Sequence, residues 1–267
     1  MPEVVTDNLR DGYRRLVARV KSEGARTDSQ SGPVREILGM SIVLTNPLDA
    51  LPIGVGRGLN RAIAAAEALQ LIAGESHPSL MLRIAPQFKQ YMDGGTFHGA
   101  YGPRLRGQFY QLINKLRSYP NTRQALVTLW DPAADNVRCL HDYPCTTALQ
   151  FFLRDGSLDM QVYMRSNDVW RGLAYDAFQF TQLQMTIAKE LGAPIGTYRH
   201  YAASLHLYES DVTAAIKMLN CDQESHDVLT NPYGISVVDA RLLLSGARAS
   251  LTSSDAAWYV DAVGKYL

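Results

Sequence analysis

The pattern of hydrophobic and polar positions predicts four long helices. Across residues 7–23, apolar residues recur at near-helical spacing between arginines and lysines. They are Leu9, Tyr13, Leu16, Val17 and Val20. The segment RAIAAAEALQLIAG is apolar on nearly all sides and ends at Gly74, which predicts a central helix. Residues 107–120 and 173–191 are also predicted to be helical, and Gly192 ends the second of these.

Strand patterns lie between these helices. A turn-rich stretch, residues 24–35, precedes EILGMSIVLTNP, which predicts a loop and then a strand. QALVTLWDP at 124–132 and HYAASLHLYES at 200–210 predict two further strands. TTALQFFLRDG and SLDMQVYMRS meet at an Asp-Gly pair, which predicts a β-hairpin. Without an internal repeat or a linker, the pattern predicts one α+β domain over residues 1–267.

Composition narrows the classes of protein. The chain has 267 residues, 46% of them hydrophobic, which suits a globular domain with a substantial core. The 26 Lys and Arg residues balance 26 Asp and Glu residues, so no global positive field predicts nucleic-acid binding. An anionic ligand would have to be bound by local arginines. No apolar leader or run of about 18 apolar residues is found, so we expect a cytoplasmic protein without a membrane span.

The chain has three cysteines, Cys139, Cys145 and Cys221. They show neither CxxC nor Cys/His zinc spacing, so no metal site is predicted. In a reducing compartment they are expected to be free thiols, one of which could be reactive.

Several ordered motifs carry a family resemblance. Between residues 144 and 211 they are the Pro-Cys pair at 144–145, QVYMRSNDVWRGLAYDAFQF and HLY. Upstream they are AEALQLIAGES, GAYGPRLR and NTRQALVTLWDP. In this order the chain resembles thymidylate synthases and their phage relatives, the deoxycytidylate hydroxymethylases. The resemblance implies a large mixed β-sheet flanked by helices, a homodimer whose sheets face each other, and a cytosolic location in a bacterium or a phage-infected host.

The resemblance also implies catalytic roles. A lone cysteine is usually a small buried hydrophobe, but Cys145 matches the family nucleophile that adds to C6 of the pyrimidine. Arg165 lies across the predicted hairpin, where it could lower the pKa of the thiol. Glu67, inside the apolar helix, matches the glutamate that organises water and proton transfers, and partial burial would raise its pKa.

The resemblance assigns the ligand-binding residues as well. Arg165 and Ser166 match phosphate ligands, and Arg123 matches a phosphate-binding arginine donated by the second subunit. The remaining substrate residues implied are His206 and Tyr208, which hold the 3′-hydroxyl, and Tyr101. The folate co-substrate, 5,10-methylenetetrahydrofolate, is expected to contact Asp168, Gly172 and, through its tail, Arg57.

The phosphate site departs from the family pattern at two places. Gln124 stands where the family usually has a second arginine, and no arginine lies in register with the N-terminal phosphate ligand. Arg26 or Arg35 could replace that ligand.

One residue bears on the base. Asp176 stands where synthases have an asparagine, whose amide donates to O4 and accepts from N3–H of uracil. Cytosine presents the opposite order, and an aspartic acid can accept from its amino group and donate to N3. The hydroxymethylase relatives carry aspartate at this place. We therefore expect 5-hydroxymethylation of a cytosine nucleotide, dCMP favoured.

Two departures fit the addition of water rather than hydride to the exocyclic methylene. MLRIAPQFKQYMDGG lacks the tryptophans that synthases usually have there, and Thr146 replaces the histidine that commonly follows the nucleophile. A less apolar wall would let water enter more easily.

Three alternatives stay open. The chain could be a thymidylate synthase or a dUMP hydroxymethylase, or it could act on CMP in nucleoside-antibiotic biosynthesis. It could also be an inactive member that binds a nucleotide or RNA, although a binder needs no nucleophile. Neither a membrane nor direct nucleic-acid binding is expected.

Overall fold

A computed structural model describes residues 2–53, 55–136, 140–221 and 232–267. The strands of these residues form one mixed sheet in the order β1-β3-β8-β6-β5-β4, with β2 beside β3 and β7 beside β8. The strands are β1 (Glu3–Thr6), β2 (Ala25–Ser29), β3 (Gly32–Leu44), β4 (Leu126–Thr128), β5 (Thr146–Arg154), β6 (Ser157–Met164), β7 (Asn167–Asp168) and β8 (Ile195–Tyr208). Pairs β1–β3, β6–β8 and β7–β8 are parallel, and the other pairs are antiparallel.

Helices flank this sheet. They are α1 (Leu9–Glu23), α2 (Arg61–Ala73), α3 (Pro78–Ile84), α4 (Tyr101–Arg106), α5 (Phe109–Ser118), α6 (Pro132–Asp135), α7 (Leu173–Leu191), α8 (Val212–Leu219), α9 (Val237–Leu244) and α10 (Ala256–Val263). In the described part of the chain, none of them is both long and apolar enough to cross a membrane. The mixed sheet with flanking helices confirms the predicted α+β class.

The strongest sequence signals are confirmed. Helix α7 spans residues 173–191, and its C-cap Gly192 adopts a left-handed φ of 66°. The predicted hairpin is β5–β6, and its turn has positive φ at Asp155 (49°) and Gly156 (79°). Both values suit the two-residue turn whose twist matches that of paired strands.

The prediction of a loop over residues 24–35 was wrong. Strand β2 pairs with the first residues of β3, so a second hairpin stands at the edge of the sheet. All five side chains of β2 are exposed. A strand without a buried face has no apolar alternation, and backbone hydrogen bonds alone define it.

One face of the sheet holds the core. Along β6 every second side chain is buried, including Met160, Val162 and Met164, and α7 packs over this strand. Helix α2 packs against α7 and buries all its residues except Arg61 and Glu67. Polar groups on α2 and α7 are therefore held inside an apolar layer.

The opposite face is open in the single chain. Cross-strand neighbours on it are half-buried or exposed: Leu126, Gln150, Gln161 and Arg199 in one row, and Ala148, Tyr163 and Tyr201 in the next. The Tyr163 hydroxyl lies within hydrogen-bond distance of Gln161 Oε1 (2.8 Å) and Gln150 Oε1 (3.1 Å), and its one proton can be donated to either. This face thus carries an ordered polar and aromatic surface.

The two C-cap glycines provide a test of this packing. Gly74 and Gly192 both have left-handed φ angles, 72° and 66°, and alanine there costs about 1 kcal/mol of strain. A Cβ at Gly192 would meet no atom within 4 Å, whereas one at Gly74 would lie 2.9 Å from the Arg106 Cβ. We expect Gly74→Ala to lower the free energy of unfolding more than Gly192→Ala, measured by denaturant titration. Equal losses would contradict the described contact of α2 with α4.

Candidate active site

The thiol of Cys145 lies directly before β5, half-buried and beside Arg165. The Arg165 Nη2 is 3.9 Å from Sγ, and Nε donates to the Pro144 carbonyl at 3.0 Å. The Arg165 backbone N–H donates to the Cys145 carbonyl at 2.9 Å. The structure therefore brings the predicted nucleophile and its arginine together.

Burial raises the pKa of the Cys145 thiol to about 11. Arg165 acts against this, as expected from the sequence, while the carboxylates of Asp176, Asp142 and Asp168 add to the rise. Desolvation of the thiolate is the larger effect. In the free protein the thiol is therefore protonated at neutral pH, and proton loss must accompany addition to a substrate.

Three contacts fix the nucleophile loop. The Tyr101 hydroxyl accepts from the Thr146 backbone N–H at 3.2 Å, and the Asp142 carboxylate accepts from the Gly99 N–H at 2.8 Å. The Trp130 ring lies 5.6 Å from the Arg165 guanidinium. The turn containing Tyr101 thus holds the loop from one side and the Trp130 ring supports its arginine from the other.

Asp176 lies on the first turn of α7, where two side-chain amides donate to it. Asn167 Nδ2 reaches Oδ2 at 2.7 Å, and Gln179 Nε2 reaches Oδ1 at 3.1 Å. Burial raises its pKa to about 7, although both amide bonds lower it and Asp168 raises it further. Near neutral pH the carboxyl group therefore exists in both protonation states.

Glu67 lies on α2 close enough to Asp176 for electrostatic coupling. Burial, and then the charge of Asp176, raise its pKa to about 8. Among the described residues no side chain or backbone group forms a hydrogen bond with its carboxyl. The rise agrees with the expectation from the sequence and leaves Glu67 a neutral acid at pH 7.

Asp168, His206 and Tyr208 form a second group beside the first. Asp168 pairs with His206 across β7 and β8, and the His206 and Tyr208 rings pack edge to face at 5.3 Å. Oδ1 of Asp168 accepts from the backbone N–H groups of Trp170 (2.8 Å) and Arg171 (2.9 Å). Oδ2 is buried and accepts no hydrogen bond within the described residues, and the Arg171 Nε lies 3.8 Å from it. Burial raises the pKa of Asp168 and lowers that of His206.

Arg57 lies on the same side as Asp168. Its guanidinium is 4.6 Å from the Trp170 ring and donates to the Tyr13 hydroxyl at 2.5 Å. At Gly172, a Cβ would lie 3.1 Å from Asp176 Oδ2. The missing side chain at Gly172 therefore makes room for the Asp176 carboxyl.

The candidate ligands of the substrate phosphate lie at several separate places in the single chain. Ser166 is half-buried next to Arg165. Arg26 and Arg35 both pair with Glu209, at 3.2 and 3.1 Å, directly after Tyr208. Arg35 also donates to the Lys21 carbonyl at 2.8 Å, so Arg26, with 75% of its side chain exposed, is the freer of the two.

Arg123 lies apart from Cys145 in the single chain. It is exposed on the segment before β4, where a groove of about 730 Å³ also includes Lys115 and Tyr119. Its carbonyl accepts from Gln150, five residues along β5 from the nucleophile.

Sequence reasoning missed four residues of this site: Asn167, Gln179, Trp130 and Arg171. Gln179 follows Asp176 by three positions, so helical spacing could have placed the two side chains on one face. Arg171 lies 4.6 Å from the Tyr208 ring and pairs with Asp211 at 2.7 Å, and no sequence signal indicates that contact.

Of the two other cysteines, the structure describes only Cys221. Cys221 is a half-buried free thiol, and Cys139 lies outside the described residues. In the described ranges no group of three His, Cys, Asp or Glu side chains could hold a metal ion.

Comparison with known proteins identifies the family. The thymidylate synthase family model matches residues 11–231. The deoxyuridylate hydroxymethyltransferase of Bacillus phage SP01 is 32% identical over 222 residues, 76% of this chain and 58% of the phage protein. That of Pseudomonas phage M6 is 28% identical over 256 residues, 92% of this chain and 73% of the phage protein. A Listeria monocytogenes thymidylate synthase is 29% identical over 113 residues, 42% of this chain and 35% of the synthase. Because the family match covers most of its residues, the chain belongs to the thymidylate synthase family.

Proposed function

We propose that the protein is a 5-hydroxymethyltransferase that acts on a pyrimidine deoxynucleoside monophosphate. The observation that carries the proposal is the grouping of the Cys145 thiol and Arg165 with two carboxyl groups, Glu67 and Asp176, whose pKa values are raised to about 8 and 7. Similarity to two phage deoxyuridylate hydroxymethyltransferases supports a hydroxymethyl product.

Each group of the site has a task in this reaction. The Cys145 sulfur adds to C6 of the ring, which makes C5 nucleophilic. Glu67, a neutral acid at pH 7, and the protonated form of Asp176 hold a proton against the ring atoms that gain negative charge on addition. Arg165 stabilises the thiolate and the substrate phosphate.

The residues beside Asp168 fit a pterin co-substrate. The buried Oδ2 of Asp168 accepts no hydrogen bond within the described residues, although the Arg171 Nε lies 3.8 Å away, and the N–H groups of a pterin would supply a donor. Trp170, stacked under Arg57, offers an aromatic surface next to it. In this proposal 5,10-methylenetetrahydrofolate would supply the one-carbon unit that C5 accepts, and loss of the C5 proton with departure of tetrahydrofolate would leave an exocyclic methylene at C5.

Thr146 supports water as the last reactant. Its hydroxyl is fully buried and has no hydrogen-bond partner within the described residues, directly after the nucleophile. A buried hydroxyl without a partner is a place where a water molecule is favoured. Addition of water at the C5 methylene, followed by loss of Cys145, gives a hydroxymethyl rather than a methyl group.

Two bases fit the site. The aspartate at position 176, in place of asparagine, supports cytosine as the base. The similarity to the deoxyuridylate hydroxymethyltransferases of the two phages supports uracil. A neutral carboxyl has one donor and one acceptor, so it can pair with either base. We keep dCMP as the favoured substrate and dUMP as the second candidate.

A homodimer completes the site in this proposal. The open face of the sheet, with Tyr163, Tyr201 and Leu126, suits a second copy of the same face. Arg123 is exposed and apart from the Cys145 of its own chain, which agrees with an arginine that serves the partner's site.

The nucleophile can be tested directly. Cys145→Ala should abolish turnover but leave nucleotide binding within a few-fold of wild type, because covalent addition stabilises the transition state rather than the ground state. Turnover is followed by mass spectrometry of the nucleotide, and Cys221→Ala serves as the control. Residual activity of Cys145→Ala within tenfold of wild type would exclude this role.

Subunit sharing is tested by complementation. Arg123→Ala should weaken nucleotide binding and activity, and should be rescued by mixing with inactive Cys145→Ala protein. Each mixed dimer contains one intact site, so exchange should restore roughly a quarter of wild-type activity. The control is Lys115→Ala, on the same groove. A fully active monomer in sedimentation would contradict the shared site.

Asp176→Asn tests the base. An asparagine carries its donor on Nδ2 and its acceptor on Oδ1, and in the orientation that pairs with uracil it mismatches both N3 and the C4 amino group of cytosine. We expect a loss of about 1–3 kcal/mol for each unpaired group, a ten- to hundredfold fall in kcat/KM for dCMP. Activity on dUMP should rise or persist. An unchanged ratio of kcat/KM for the two nucleotides would show that Asp176 does not read the base.

A further inference from the structure

We propose that Asn167 and Gln179 are positioning residues that select the base, because they determine which oxygen of Asp176 carries its proton. The inference rests on the proposed function, since it concerns how the same site distinguishes dCMP from dUMP.

The geometry around Asp176 is asymmetric. Asn167, 3% exposed on β7, donates to Oδ2 at 2.7 Å, whereas Gln179, 5% exposed on α7, donates to Oδ1 at 3.1 Å. A Cβ at Gly172 would lie 3.1 Å from Oδ2 and 3.4 Å from Asn167 Nδ2. The glycine therefore leaves space for the shorter of the two bonds.

The Asn167 amide forms its side-chain hydrogen bond with Asp176. Its Oδ1 is buried without a hydrogen-bond partner in the described part of the chain, so the amide joins no other network through that atom. A buried polar group that is left half-satisfied is costly. The one side-chain hydrogen bond that Asn167 forms among the described residues is therefore the bond to the Asp176 carboxyl.

The asymmetry has a chemical consequence. An oxygen that accepts a short hydrogen bond holds its electrons more tightly, so a proton binds more readily to the other oxygen. Asp176 in its neutral form should therefore present Oδ1 as donor and Oδ2 as acceptor. Because cytosine and uracil offer opposite donor and acceptor orders at C4 and N3, one fixed order matches only one base.

Other described groups lie near the Asp176 carboxyl, but they form no side-chain hydrogen bond that determines which of its oxygens is the donor. Those in electrostatic contact with Asp176 are Glu67 on α2, Asp168 on β7, Tyr101 on α4, Tyr198 on β8 and Cys145 before β5. Among the described residues, only the two amides donate side-chain hydrogen bonds to its oxygens. The amides therefore distinguish Oδ1 from Oδ2.

Removing the Gln179 amide and removing the Asn167 amide, in separate variants, should change base selectivity in opposite directions. Gln179→Met leaves only the bond to Oδ2 and strengthens the existing order. Asn167→Leu leaves only the bond to Oδ1 and reverses it. We expect the ratio of kcat/KM for dCMP to that for dUMP to change by about tenfold in each variant, with opposite sign.

Gln184→Met is the matched control. Gln184 is also buried on α7, 0% exposed against 5% for Gln179, but its amide donates to the Leu158 carbonyl at 2.8 Å rather than to Asp176. This variant should keep the wild-type ratio. If Asn167→Leu does not fold, Asn167→Asp, with the same shape, removes the amide donor. Its carboxylate accepts a hydrogen bond from the protonated Oδ2, so Oδ1 becomes the acceptor and the ratio should shift in the same direction as in Asn167→Leu.

The pH profile gives a second measure. Both amide bonds favour the ionised carboxylate, so losing either one raises the pKa of Asp176. The value of kcat/KM should fall at high pH, where Asp176 loses its proton. The pH of this fall should be about one unit higher in Gln179→Met and in Asn167→Leu than in wild type. It should be unchanged in Gln184→Met.

The outcomes separate the inference from the proposed function. Ratios that stay constant, or that move in the same direction in both variants, overturn the inference even if the wild type is active. If the wild type converts neither nucleotide, the proposed function fails. The affinities for dCMP and dUMP, measured by calorimetry on the same variants, then still test the inference.

Discussion

The protonation states of this candidate site depend on the free-energy cost of ionising a carboxyl group inside an apolar layer of helices. Glu67 and Asp176 project from α2 and α7, two helices whose surfaces are buried almost all round, and burial is the largest cause of the raised pKa of both. At the protein surface the same groups would be permanently ionised and would oppose the thiolate. Between the helices they exist as acids near neutral pH, which is the state that can donate a proton to a pyrimidine ring.

The fold was predictable where side chains alternate between core and solvent. Helices α1, α2 and α7 and the β5–β6 hairpin carry strong periodicity or turn chemistry, since burial of one face imposes both. Strand β2 was missed because all its residues are exposed, so its side chains show no apolar alternation. A strand was predicted at 124–132, and the structure has a strand only at Leu126–Thr128. Periodicity indicates which side chains are buried but does not indicate how many residues pair with a neighbouring strand.

The site was predictable from the family motifs and only as far as those motifs reach. They located Cys145, Arg165 and Asp168, which the structure brings to one region. They gave no sign of Trp130 under Arg165, because that contact depends on how the segment after β4 meets the end of β6. The sequence also suggested that Arg165 would lower the pKa of the thiol. It does act in that direction, but the degree of burial, which only packing determines, has the larger effect.

An aspartate in place of asparagine does not by itself fix the base. An amide keeps its donor and acceptor on different atoms and can exchange them only by rotating. A neutral carboxyl exchanges them by moving one proton from one oxygen to the other, which requires no movement of heavy atoms. If Asp176 contacts the base as proposed, the choice of base depends on the groups that make its oxygens unequal, here Asn167 at 2.7 Å and Gln179 at 3.1 Å. For this reason similarity to deoxyuridylate enzymes and an aspartate suited to cytosine are compatible in one chain.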